Sequence, residues 1–335
     1  MSVNVPTNDI AQLELVPHRP VWDFLTSPVA SIAITLAAVV AIGLIWVGPR
    51  FLSPSNITII GSFLIVPLVV ASFAGLALLA GVTDLSIGSM VGFSSAVFAL
   101  LLSSGWSPAA AASVTMAVCL FFGALNAVAI VGFGAEHIAA TLGMLTALRG
   151  ITWILVGSKG SIFAFNPELF AVANLMVFKI PALFIAGIGL TVLAALVVTK
   201  TRIGRHVQAV GGDDKAAARA GIAVARIRTA VLLLSAFGAC LGGILYVAQL
   251  GSAARLTGFG LEFQIYAALM IGGYSILRGG VGNPIGGVLG LLVVAGVSNV
   301  LDLKAISPYY VNIIVGLLLL TAVLLDRLRG GDRYE

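Results

Sequence analysis

Ten long apolar runs follow one another along this chain and leave it few ways to fold. A helix crossing the hydrocarbon core of a bilayer needs ~20 mostly apolar residues. With no water at hand, every backbone N–H and C=O must be satisfied within the segment. The runs lie at about Pro28–Val47, Ile57–Ala80, Leu85–Ser103, Ala109–Phe133, Ile138–Val156, Ile180–Val198, Thr229–Leu250, Phe263–Leu277, Ile285–Leu301 and Tyr309–Leu325. Composition agrees, since 60% of the 335 residues are hydrophobic and only 9% charged, whereas a soluble domain carries about 25% charged residues. The expected fold is therefore all-α: a polytopic transmembrane bundle of about ten spans. The third and eighth runs are short and interrupted by Gly and Ser, and are expected to be broken or re-entrant helices. Glycine, at 39 residues, is well above its usual ~7% and predicts close helix packing.

The organisation read from these runs is a leader at residues 1–27, a membrane domain at 28–326 and a short tail at 327–335. The leader contains Asp9, Glu14, His18, Arg19 and Asp23 and lacks the basic start and small-residue cleavage site of a signal peptide, so the first span is expected to be retained. Lys and Arg stay on the cytoplasmic side of short loops. With both termini inside, the inner set of cations is Arg19, Lys200, Arg202, Arg205, Lys215, Arg219, Arg226, Arg228, Arg278, Arg327, Arg329 and Arg333. The outer set is Arg50, Lys159, Lys179, Arg255 and Lys304. That asymmetry predicts cytoplasmic termini. The long inner connection, about 199–228, is basic with an Ala-rich centre. The outer one holds FAFNPELFAVANLMVF, suited to a piece lying along or dipping into the membrane surface.

Missing motifs narrow the function. No GxxxxGK[ST] loop is present to cradle nucleotide phosphates, so ATP hydrolysis by this chain is not expected. HExxH, paired-cysteine and GxSxG patterns are also missing, which leaves an intramembrane enzyme little support. Cys119 and Cys240 sit in apolar runs and read as small buried hydrophobes, with no disulfide, metal or thiol chemistry expected. Ion-coupled carriers and proton pumps need ionisable groups at mid-membrane depth, and here Arg149 stands nearly alone. It is either a pathway contact or a cation bound to a helix end or carbonyl. Asp84 is either a cap for the helix that follows it or a pathway residue.

Four segments in order carry a family resemblance. AGVTDLSIGSMVGF, Ala80–Phe93, is followed by HIAATLGMLTALRG, His137–Gly150; then come TRIGRHVQAVGGDDKAAARAGIAVARIR, Thr201–Arg228, and MIGGYSILRGGVGNPIGGVLG, Met270–Gly290. Together they resemble the permease subunits of ribose-type ABC importers, which move monosaccharides, autoinducer sugars and some nucleosides. The chain departs from the family pattern at Val82, Thr83, Asp213, Lys215 and Tyr274. The resemblance implies no cofactor in this chain, with ATP and Mg used by a partner ATPase. It further implies a periplasmic solute-binding protein, a second permease copy or paralogue, and a place among the lipids of the bacterial inner membrane, with no role for nucleic acid. In such importers a short cytoplasmic helix docks into the ATPase, which assigns Asp213, Asp214, Lys215, Arg219 and Gly221 to coupling. Sparse polar residues in the spans supply the pathway candidates: Asp84, Ser86, Asn126, Thr141, Arg149, Gln264, Tyr266 and Asn299. The sequence leaves open a branched-chain amino-acid or nucleoside permease, an ion-coupled secondary carrier and a non-transporting membrane scaffold.

Overall fold

The computed structural model describes residues 28–330. The leader at 1–27 and residues 331–335 of the expected tail lie outside the described residues. Among the described residues, thirteen α-helices follow one another: α1 Pro28–Val47, α2 Pro54–Leu79, α3 Ile87–Ser103, α4 Pro108–Ala127, α5 His137–Val156, α6 Pro167–Ala173, α7 Ala182–Lys200, α8 Arg202–Gly212, α9 Asp214–Arg219, α10 Val224–Leu250, α11 Leu261–Ile271, α12 Pro284–Leu303 and α13 Pro308–Gly330. Four short strands pair antiparallel in the loops: β1 Ser161–Phe163 with β4 Ser252–Ala254, and β2 Met176–Val177 with β3 Ile180–Pro181. Among the described residues, six helices are long and apolar enough to cross a membrane (α2, α4 with its extension, α5, α7, α10 and α12), and four shorter apolar stretches accompany them.

Several helix starts follow local chemistry. Ser53, Ser107, Asn166 and Asn283 each precede a proline, and each side chain accepts a backbone N–H in the first turn. The polar residue satisfies one free donor, while proline lacks an N–H that the first turn could not use anyway. Past Ala127, α4 widens into a π-helical turn at Val128–Gly132.

α10 is the central strut, packed along α2, α3 and α4, while α12 lies against α1, α2 and α11. Small residues set these distances. At Gly243 of α10 any Cβ would fall among Ser94, Val91 and Ser95 of α3, and at Gly290 of α12 on the Ala268 carbonyl of α11. Backbones can meet this closely only where side chains are missing.

Two expected spans are shorter than their apolar runs. α2 ends in a cap in which Gly81, at φ +73°, lets Val82 N–H return to the Ala77 carbonyl at 3.0 Å. The chain is then non-helical to Asp84, turns at Leu85 and Ser86, and α3 begins only at Ile87. α11 ends the same way at Gly273, φ +90°, with Tyr274 N–H returning to Leu269 at 3.0 Å. Both are caps of the Schellman type, which need a left-handed residue and so favour glycine. The eighth expected span, Phe263–Leu277, is thus an 11-residue helix, about 16 Å long and roughly half the hydrocarbon thickness. The connection expected on the inner side is likewise shorter than 199–228: α7 runs to Lys200, α10 begins at Val224, and α8 and α9 lie between. Residues 327–330, expected as tail, continue α13. The FAFNPELFAVANLMVF segment, expected on the outer side, forms the end of β1, α6 and β2, with α6 packed against α10.

Candidate functional site

The break between α2 and α3 leaves backbone polar groups exposed in an apolar interior, and each of its four successive N–H groups is met by a side chain. Thr83 N–H donates to His137 Nδ1 at 3.3 Å, Asp84 N–H to the Tyr266 hydroxyl at 2.9 Å and Leu85 N–H to Thr141 Oγ1 at 3.1 Å. Ser86 N–H donates to Asp84 Oδ1 at 3.0 Å. The Tyr266 hydroxyl donates back to the Asp84 carbonyl at 2.9 Å, bridging both main-chain groups of one residue. Buried amides cost several kcal/mol when unmet, so this cage is what allows a non-helical segment inside the bundle.

The Asp84 carboxylate lies at the centre. Oδ1 also accepts from Ser86 Oγ at 2.5 Å, Oδ2 accepts from Ser235 Oγ at 2.7 Å, and Asn126 Nδ2 donates to Ser86 Oγ at 3.1 Å. Asp84, Ser86, Asn126, Thr141 and Tyr266 are all buried. The structure therefore brings five of the eight pathway candidates into one network joining α4, α5, α10 and α11 to the break. Asp84 lies two residues ahead of the α3 N-cap, Ser86, and accepts that residue's N–H rather than one from the first turn of the helix. His137 and Ser235 belong to the same cage and were missed in the sequence, because neither a histidine at a helix start nor a serine in an apolar run reveals its distant partner.

The remaining candidates lie apart. Asn299 of α12 exchanges two amide hydrogen bonds with Asn56 of α2, at 2.8 and 2.9 Å, clamping the two helices at one end of the bundle. Arg149 of α5 donates to the carbonyls of Thr257 at 3.0 Å and Gly258 at 3.2 Å, with its guanidinium 5.4 Å from the Phe259 ring centroid. It holds the loop leading into α11. Behind that loop lies Glu262, also unmarked by the sequence reading; it is buried, with Oε2 lacking a hydrogen-bond partner. A Cβ at Gly88 would overlap Glu262 Oε2 and approach the Gly258 carbonyl to 2.7 Å, so α3 and the α11 loop cross with no room for a side chain.

Gln264 faces a different environment, a cavity of about 490 Å³ between α2, α10 and α11. Ser62, Phe63 and Pro67 of α2, Tyr246 and Gln249 of α10, and Asn174 line it, with Val66 and Val91 deeper in the bundle.

The connection between α7 and α10 meets both breaks. Gly211 of α8 packs so closely on Leu79 and Gly280 that a Cβ there would overlap the Leu79 carbonyl, and Gly279 lies against Gly211 and Gly81. Gly280 N–H donates to the Leu79 carbonyl at 2.9 Å. Tyr274, which replaces a small residue of the resembled pattern, packs its ring over Gly75 and Gly282, two positions with no side chain to obstruct it. Of the coupling candidates, Asp213 caps α9 by accepting Ala216 N–H at 2.8 Å, and Asp214 pairs with Arg228 at 3.0 Å. Lys215 and Arg219 are exposed, and Gly221, also exposed, turns the chain at φ +81°.

Comparisons with known proteins bear on the whole chain. A family model described as a branched-chain amino acid transport system / permease component matches residues 55–323. The chain is similar to the autoinducer 2 import system permease protein of Escherichia coli O157:H7, 32% identical over 300 residues, covering 88% of this chain and 87% of that protein. The corresponding protein of Enterobacter sp. (strain 638) is 31% identical over 287 residues, 85% of this chain and 83% of its own. The ribose import permease protein of Haemophilus influenzae is 30% identical over 301 residues, 88% of this chain and 92% of its own. No solved structure matches.

Proposed function

The chain belongs to the permease family of binding-protein-dependent transport systems, and from that premise we propose that it carries a neutral, sugar-like solute into the cell. It is a multi-pass membrane protein and the permease component of its system, not the ATPase. The observation carrying the solute class is the near full-length similarity to autoinducer 2 and ribose import permeases. The family description names branched-chain amino acids, but these relatives are named for autoinducer 2 and ribose, and the cavity at Gln264 has no charged side chain on its lining.

In this reading ten segments span the inner membrane with both termini cytoplasmic, and α3 and α11 are its discontinuous members. Six long apolar helices plus four shorter apolar stretches support that count, and the Lys and Arg asymmetry supports the orientation. A solute-binding protein delivers cargo on the outer side, a second permease copy or paralogue completes the pathway, and a partner ATPase hydrolyses ATP with Mg. The ATPase docks on α8 and α9, with Lys215, Arg219 and Gly221 on the contact surface and Asp213 and Asp214 shaping it. Support comes from the glycine contacts above: a push on α8 bears directly on the backbones of both breaks, where Gly211 meets Leu79, Gly81, Gly279 and Gly280. The caged residues Asp84, Ser86, Asn126, Thr141 and Tyr266, with Arg149, then hold the two broken helices in register as access alternates, while Gln264 faces the solute and Asn299 clamps α12 to α2.

The test is a pulldown of the tagged full chain from its native membrane in mild detergent, with import of D-ribose measured in parallel. An ATPase and a solute-binding protein should copurify, and Asp214→Arg or Gly211→Val should cut ATPase recovery and import together. Import that persists without any ATPase would refute the reading in favour of an ion-driven carrier.

A further inference from the structure

We propose that the cavity between α2, α10 and α11 is a solute contact site, built for a neutral polyhydroxylated molecule of monosaccharide size. The proposal rests on the importer reading and adds the residues that meet the cargo. Ser62 lies 8 residues into α2 and Pro67 13, so between them the groove descends from about 12 to about 20 Å along that helix, near mid-membrane depth.

Hydrogen-bonding capacity is what identifies the occupant. Among the described residues, the Gln264 amide and the Tyr246 hydroxyl make no hydrogen bond, and Gln249 Nε2 reaches only the Ser62 carbonyl at 3.4 Å. Pro67 has no N–H to give the Phe63 carbonyl one turn earlier, and both residues line the groove. Two amides, a phenol and a freed carbonyl facing hydrocarbon would each be costly. Such groups face water or a polar guest instead. No charged side chain lines the cavity, which disfavours an ionic guest, whereas hydroxyls can donate and accept at every one of these groups. The aromatic faces of Phe63 and Tyr246 offer the flat apolar surface that complements the C–H face of a sugar ring. The volume of about 490 Å³ lies within the ~300–1,000 Å³ of small-molecule sites.

The experiment places single cysteines at Gln249→Cys and Gln264→Cys in the full chain, where the native Cys119 and Cys240 are buried. Intact cells are treated with a membrane-impermeant cationic thiosulfonate or with lipophilic N-ethylmaleimide, and Ile154→Cys on the exposed face of α5 serves as the lipid-side control. Both groove cysteines should react with the impermeant reagent, and D-ribose or D-glucose, but not L-leucine, should slow that reaction. Gln264→Ala and Gln249→Ala should lower import about two- to tenfold, the loss of one ordinary hydrogen bond, at unchanged membrane abundance.

Reaction with the lipophilic reagent alone would mean a lipid-facing groove, and reaction with neither would mean a surface covered by a second copy; each overturns the proposal. Labelling without sugar protection, together with wild-type import of the alanine variants, overturns it as well by leaving only a water-filled crevice. Failure of the importer reading is distinguishable, because it removes ATPase copurification and ATP-dependent import whatever the groove does.

Discussion

Tyr266→Phe removes one oxygen atom and isolates the value of the cage around the helix break. The hydroxyl accepts Asp84 N–H and donates to the Asp84 carbonyl, both at 2.9 Å, in a fully buried setting. Phenylalanine keeps the ring and leaves no cavity of consequence, so the loss is polar. Each buried group left without a partner costs ~1–3 kcal/mol, while hydrogen bonds between membrane helices average only ~0.6 kcal/mol because the disrupted state finds other partners. The upper range applies here, because Asp84 belongs to no helix whose next turn could take up its freed N–H. The expected destabilisation is about 2 kcal/mol, equivalent for a chain of this length to a fall in Tm of roughly 3 °C. A thiol-reactive fluorogenic dye reads the transition in detergent without any engineered label, since Cys119 and Cys240 are both buried and react only on unfolding. Tyr246→Phe is the control: its hydroxyl has no partner among the described residues, so its Tm should stay within about 1 °C. If Tyr266→Phe melts with the wild type, the cage is not what holds the break.

Two further outcomes follow from the same contacts. Gly88→Ala places a methyl against Glu262 Oε2 and the Gly258 carbonyl, so monodisperse protein on size-exclusion chromatography should fall sharply. Gly88→Ala with Glu262→Ala should recover it only in part, because the carbonyl remains. Glu136 caps α5 by accepting Ala139 N–H at 2.7 Å, and that bond, with a second from Ile138 N–H, holds its carboxylate below the ordinary glutamate value. A lowered pKa stabilises above the ordinary value and is lost as pH falls through the lowered one. Glu136→Gln should therefore flatten the acid limb of the Tm–pH curve below the ordinary glutamate range.

Much of the architecture was legible in the residue order, because a bilayer admits so few backbones. Once apolar runs of about twenty residues recur, helices are the available answer, and α2, α4, α5, α7, α10 and α12 lie close to their runs. The order of the Asp84, Thr141, Gly211 and Gly272 segments carried the family. Hydropathy could not locate the ends of the broken helices. The stretch from Leu85 is apolar enough to be helical, yet Gly81 closes α2, the chain is non-helical to Asp84 and turns at Leu85 and Ser86 before α3; α11 is likewise closed at Gly273. Those choices depend on whether distant side chains can satisfy the freed backbone, and Tyr266 lies 182 positions from Asp84. The candidate list likewise mixed three fates that one-dimensional polarity cannot separate. Tyr266 and Thr141 complete a backbone cage, Asn299 pairs with Asn56, and Gln264 retains an unspent amide in a groove. The sequence by itself determined that polar groups in these helices had to find partners; only the tertiary structure decided which, because hydrogen bonds act over about 3 Å in space and ignore separation along the chain.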